Sequence, residues 1–119
     1  MAVTFYIGNN HKEAQLLNRW IHFEDHIHDL LWKYENGMGT GCELLIDLDP
    51  YGDRTFSFEE VNKMINICIY VMNEYAKQPH ESTKDLIECK DEIQTFAKEL
   101  KELCEEALQR KKCLLAIGD

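Results

Sequence analysis

The chain has no basic run longer than Arg110-Lys111-Lys112, and its 13 lysines and arginines face 22 aspartates and glutamates over 119 residues, a formal net charge of −9. Holding phosphate requires a basic face, so this balance argues against a free-standing nucleic-acid binder. Long hydrophobic runs are missing too. The most apolar stretch, Met64 to Met72, is about half a membrane span and contains Asn66, which argues against membrane insertion. The opening Met1-Ala2-Val3-Thr4-Phe5-Tyr6 has neither the basic segment nor the extended apolar segment of a secretion signal. The five cysteines (Cys42, Cys68, Cys89, Cys104 and Cys113) are odd in number, and none is paired as C-x-x-C. Cys68, Cys89 and Cys104 occupy small apolar positions of helical patterns, so the expectation is a cytoplasmic protein with reduced thiols. Nucleophilic catalysis lacks a G-x-S-x-G or a cysteine in an evident histidine context. Gly37, Gly39 and Gly41 form G-x-G-x-G, but no strand precedes them, and Glu43, Asp47 and Asp49 would repel a phosphate. The expectation is a protein that is not an enzyme and uses no cofactor.

What is present is enough apolar side chain, 45% of residues, to build one core, expected as a single domain over 1–119. Val3 to Ile7 alternates and predicts a short strand that Gly8-Asn9-Asn10 stops. From His11 to about Tyr34, Leu16, Trp20, Phe23, Ile27 and Leu30 recur at helical spacing and predict one long helix, ended by the glycines at 37–41. Glu43 to Asp49 reads as a short extended apolar run. Ser57 and Glu60 form a capping box, with Phe56 and Val61 placed as a hydrophobic staple, and open a helix that runs to Tyr75. That helix is apolar around most of its circumference, so it is expected at the centre of the fold. Ser82 with Asp85 predicts a further helix start. Leu86, Ile93, Leu100, Ala107 and Leu114, with Cys89, Phe96 and Leu103, then give it a heptad pattern suited to near-antiparallel packing. The tail 113–117 reads equally well as a strand beside Val3–Ile7 or as continued helix. The expected fold is therefore mainly α, an antiparallel three-helix bundle with a short N-terminal strand and the option of a small β element from segments 3–7, 43–48 and 113–117.

The most conspicuous motif is Asp49-Pro50-Tyr51-Gly52-Asp53-Arg54-Thr55-Phe56, preceded by Asp47 and followed by Glu59-Glu60. As a calcium loop it fails in either register. With Glu60 twelfth, Tyr51 takes a ligand position and Arg54 the glycine position; with Gly52 sixth, Phe58 takes the closing glutamate position. As a turn it is well made, because proline presets φ, and Asp49 and Asp53 can bond nearby amides. This DPYGD-x-x-F segment, together with the Tyr6-Ile7-Gly8 start, resembles small bacterial proteins, some of them similar to immunity proteins of polymorphic toxin systems. The resemblance covers about a fifth of the chain and implies a protein-blocking role without catalytic residues. Tyr51, flanked by Asp49 and Asp53 and near Glu43 and Asp47, is the expected partner contact.

Metal binding is the alternative, through the 47–60 loop (Asp49, Asp53 and Glu60) or through His22 and His26, which lie one turn apart if 11–34 is helical. No third ligand is evident near the histidines in sequence. The acidic excess concentrates in the 43–60 segment and the last helix, so the expected partner is a basic protein such as a toxin domain, met with electrostatic steering. A homodimer or other homo-oligomer built on the heptad helix is a further alternative.

Overall fold

Val3, Phe5 and Ile7 alternate as one face of a strand must, and in the structure β1 (Val3–Ile7) buries all three almost completely. The structure, a computed structural model, describes residues 3–17, 19–49, 51–76 and 84–118, with the backbone alone for 84–87. Three further strands, β2 (Trp20–Phe23), β3 (Asp53–Phe56) and β4 (Leu114–Ile117), join β1 in a four-stranded sheet of order β2-β1-β4-β3. Every pairing is antiparallel. The helices are α1 (His11–Leu17), α2 (Asp25–Glu35), α3 (Glu43–Ile46), α4 (Phe58–Glu74) and α5 (Lys84–Gln109). The fold is α+β, which overturns the expected mainly helical three-helix bundle. Segments 3–7 and 114–117 do pair, but 43–48 contributes the one-turn helix α3 and no strand. Three of the four strands have only four residues, too few for a two-residue period to stand out from helical spacing.

The expected helix over 11–34 is broken for a related reason. Trp20, Ile21 and Phe23 are strong β-formers, and β1 offers them an open edge, so Ile21 pairs with Phe5 and Phe23 with Val3. Glu24, at φ −60° and ψ 143°, then separates β2 from α2. Leu16, expected on the buried stripe, is 75% exposed instead. Gly8 lets α1 fold back tightly, because a Cβ there would lie 2.8 Å from the Ala14 amide nitrogen.

The core lies between the inner sheet face and the pair α4–α5. Gln94 donates to the Met72 carbonyl while Cys104 lies beside Cys68, so the two helices run antiparallel. The heptad residues Ile93, Leu100, Leu103 and Ala107 are buried within the chain itself, whereas Leu114, expected to continue the heptad, lies beyond the helix end in β4. The expected cap of Ser82 with Asp85 and the heptad residue Leu86 lie outside the described residues and side chains. α4 is less central than its composition predicts: Val61, Met64, Cys68 and Val71 are buried, but Ile69 and Phe58 face solvent. α5 ends by reversal. Lys112 N–H donates to the Ala107 carbonyl and Lys111 N–H to that of Leu108, with Lys111 at φ 56°, which turns the chain back into β4. Four phenylalanines join the layers. Phe5 lies within 6.4 Å of Phe23, Phe56 and Phe96, and Phe23 stacks on Phe96 at 4.6 Å and 8°.

Among the described residues one carboxylate is buried. Glu35, at the end of α2 and 4% exposed, accepts hydrogen bonds from Thr40 (2.7 Å), Tyr75 (2.9 Å) and Tyr70 (3.1 Å). The trio ties α2 and its glycine loop to the end of α4. Burial, followed by the Glu35 charge, pushes the Tyr70 phenol up to about 12. Burial and then the Glu35 hydrogen bond push Tyr75 further in the same direction, so both remain donors. Tyr75→Phe is expected to lose about 1.5–3 kcal/mol of stability in urea unfolding, as for a buried hydrogen bond to a charged group. Tyr70→Phe, at a longer distance and half-exposed, is expected to lose less.

Candidate functional site

The DPYGD segment folds locally, as its composition requires. Asp49 Oδ1 accepts from the Tyr51 amide at 2.9 Å, and Gly52 N–H donates to the Asp49 carbonyl at 3.2 Å. Pro50 lies outside the described residues. Asp53 faces His11 Nε2 at 3.4 Å and accepts from Gly118 N–H at 3.3 Å. Glu60 closes the capping box with Ser57 and takes Arg54 Nη2 at 2.6 Å. The three carboxylates considered for calcium thus serve different partners within the chain. Tyr51 stands out from this turn, 67% exposed.

The histidines part company. His22, on β2, shares a 2.9 Å hydrogen bond between its Nδ1 and Thr4 Oγ1. His26 lies on the first turn of α2, where its Nε2–H donates to Glu92 Oε2 at 2.7 Å. The two do not form the helical i, i+4 pair that the sequence spacing implied. The ligand atoms of His26, Cys89 and Glu92 instead lie within 4.8 Å of one another. Cys89 and Glu92 come from α5, so no local pattern near His26 announces them; the only sequence signal is their i, i+3 spacing, which puts both on one helix face. Among the described residues this is the one group of three or more such side chains close enough to share an ion.

The fold also gathers carboxylates that are scattered in sequence. A cleft of about 330 Å³ between β2–α2 and α5 is lined by Glu24, Asp91, Glu92 and Glu99 around Ile27 and Phe96. On the other side of α2, a second cleft of about 320 Å³ is lined by Asp25, Asp29 and Asp47, with Trp32 half exposed beside them. His28 spans the gap to the second cleft, stacking on Phe23 at 4.5 Å and donating from Nε2 to the Ile46 carbonyl at 2.8 Å. Of the expected contact residues Glu43, Asp47, Asp49, Tyr51 and Asp53, only Asp47 lines either cleft. Glu43 is exposed in the first turn of α3.

The buried thiols are suppressed. Burial pushes Cys42 and Cys68 up, and Cys104 up to about 12, leaving Cys89 and Cys113 as the half-buried pair. Among the described residues no helix is long and apolar enough to cross a membrane. No protein family, curated protein or solved structure shows a significant match to the chain.

The capping box carries an acid dependence. The Ser57 amide, chiefly, holds the Glu60 carboxyl below its ordinary value of 4.5. A depressed carboxyl stabilises the fold fully above that ordinary value and loses its effect as pH falls through its folded value. Ser57→Ala is expected to cost about 1 kcal/mol in urea melts at neutral pH. Glu60→Gln keeps the acceptor, so it is expected to flatten the decline in stability below pH 4.5 relative to the unsubstituted chain.

Proposed function

We propose that the chain is a non-enzymatic, acidic protein-binding module that blocks a basic partner, as an immunity protein blocks a basic toxin domain. The observation that carries this reading is the pair of clefts flanking α2, where seven carboxylates surround apolar and aromatic floors. A lysine or arginine suits such a cleft: its stem packs on Phe96 or Trp32 while its charge sits among the carboxylates. The acidic surface also raises the rate of encounter with a basic partner and repels acidic ones. The resemblance of the DPYGD segment to immunity-type proteins points the same way, and exposed Tyr51 supplies an additional anchor beyond the clefts.

Co-expression with a basic toxin domain from the same genetic neighbourhood tests the proposal. Rescue of growth and a purifiable complex are expected, with affinity falling at least about tenfold between about 0.05 and about 0.3 M salt. Asp91→Lys with Glu99→Lys is expected to slow association by a similar factor without unfolding the chain, since both side chains are exposed. Absence of both rescue and complex would overturn the proposal.

A further inference from the structure

We infer that His26, Cys89 and Glu92 form a site for a transition metal of the zinc class, with the fourth coordination position open. The inference does not depend on the partner reading. α5 presents Cys89 and Glu92 one turn apart on one face, and α2 brings the His26 imidazole onto that face, with all three ligand atoms within 4.8 Å of one another. A tetrahedral metal with bonds of about 2.0–2.3 Å needs its donors about 3.3–3.7 Å apart. The thiol therefore draws in by no more than about an ångström, while His26 Nε2 and Glu92 Oε2, now 2.7 Å apart, open by a little over half an ångström. Side chains carried on adjacent turns can make both adjustments by rotation, without moving the helices.

The donor set selects the metal. A thiolate, an imidazole and a carboxylate together suit zinc or cobalt, whereas calcium and magnesium require an all-oxygen shell. Binding replaces the hydrogen bond between His26 and Glu92 with two metal bonds. The imidazole ligates through Nε2 with a single proton on Nδ1, the Nε2 proton passing to Nδ1 or to solvent, and the Cys89 thiol gives its proton to solvent. His26 and Glu92 are half exposed, at 52% and 57% of their side chains, so solvent or a donor from another molecule can complete the shell. Competition from the three buried thiols is small. Cys42, Cys68 and Cys104 are buried, and burial disfavours the thiolate a metal requires.

Cobalt titration of the reduced full-length chain tests this directly. One equivalent of Co²⁺ is expected to produce a thiolate-to-cobalt charge-transfer band in the near ultraviolet, which Zn²⁺ abolishes by displacement. Cys89→Ser is expected to remove the band, and Cys113→Ser to leave it intact. His26→Gln and Glu92→Gln are each expected to weaken binding by more than about tenfold. Circular dichroism of each variant separates loss of ligand from loss of fold, and both His26 and Glu92 are exposed enough to be replaced without a cavity. A chain that gives no band at millimolar cobalt, a band that survives in Cys89→Ser, or unchanged affinity in both His26→Gln and Glu92→Gln overturns the inference.

Discussion

The Phe23 ring is the contact on which the rest of the arrangement depends. It is fully buried, in register with Val3 on the sheet, and stacked on Phe96 of α5 on one side and His28 of α2 on the other. A buried phenylalanine contributes about 1.5–3 kcal/mol by burial, and each well-placed ring pair about 0.5–1.5 kcal/mol more. The larger consequence is positional. Phe96 forms the floor of one acidic cleft, and His28, through its bond to the Ile46 carbonyl, holds the wall of the other. One ring therefore sets the spacing between β2, α2, α3 and α5, and with it the separation of the carboxylates on either side of α2.

Those carboxylates are not explained by stability. Glu24 and Asp25 suit the positive end of the α2 dipole, but Asp91, Glu92 and Glu99 crowd the cleft beside Glu24 from α5. The contact between His26 and Glu92 is exposed and worth little. Glu35 is the opposite case. It sits at the negative end of the same helix, yet three hydroxyl donors satisfy it, so the charge is tolerated where solvent cannot reach. The same helix thus ends in a carboxylate bound internally and begins among carboxylates turned outward, which is the asymmetry expected of an element that is anchored at one end and presents a surface at the other.

Features encoded by contiguous residues could be read from the sequence. The Ser57–Glu60 cap, the Val3–Ile7 strand, the turn at Asp49 and the heptad burial of α5 from Ile93 to Ala107 are all local patterns, and each is present. What could not be read depends on a distant partner. Trp20 to Phe23 fits a helix as well as a strand until β1 is supplied, and Asp53 to Phe56 becomes a strand only because β4 lies beside it. The apolar stretch 43–48 has the composition of a strand, but it forms the one-turn helix α3, packed against α2 and α4, and pairs with no strand. The clefts were hidden for the same reason: Glu24 and Glu99 are far apart in sequence, and only the stacking of Phe23 on Phe96 brings their elements together. Asp49 and Asp53, expected beside a contact at Tyr51, are engaged in holding the turn and its neighbours, while Tyr51 between them is exposed.

The strand order has a consequence for how the chain acquires its structure. β1 bonds to β2 and β4, while β3 bonds to β4 alone, and Ile7 finds its partner in Leu114. Until residues 114–117 arrive, β3 has no neighbour and β1 has one bare edge, although the helical hairpin α4–α5 can already form from contacts close in sequence. β4 thus acts as a keystone that closes two hydrogen-bonded ladders at once, and the loop closed by Ile7 and Leu114 encloses nearly every other element. Topology of this kind makes closure of the sheet later than formation of the helical hairpin, with the half-built sheet as the species most exposed to misassociation.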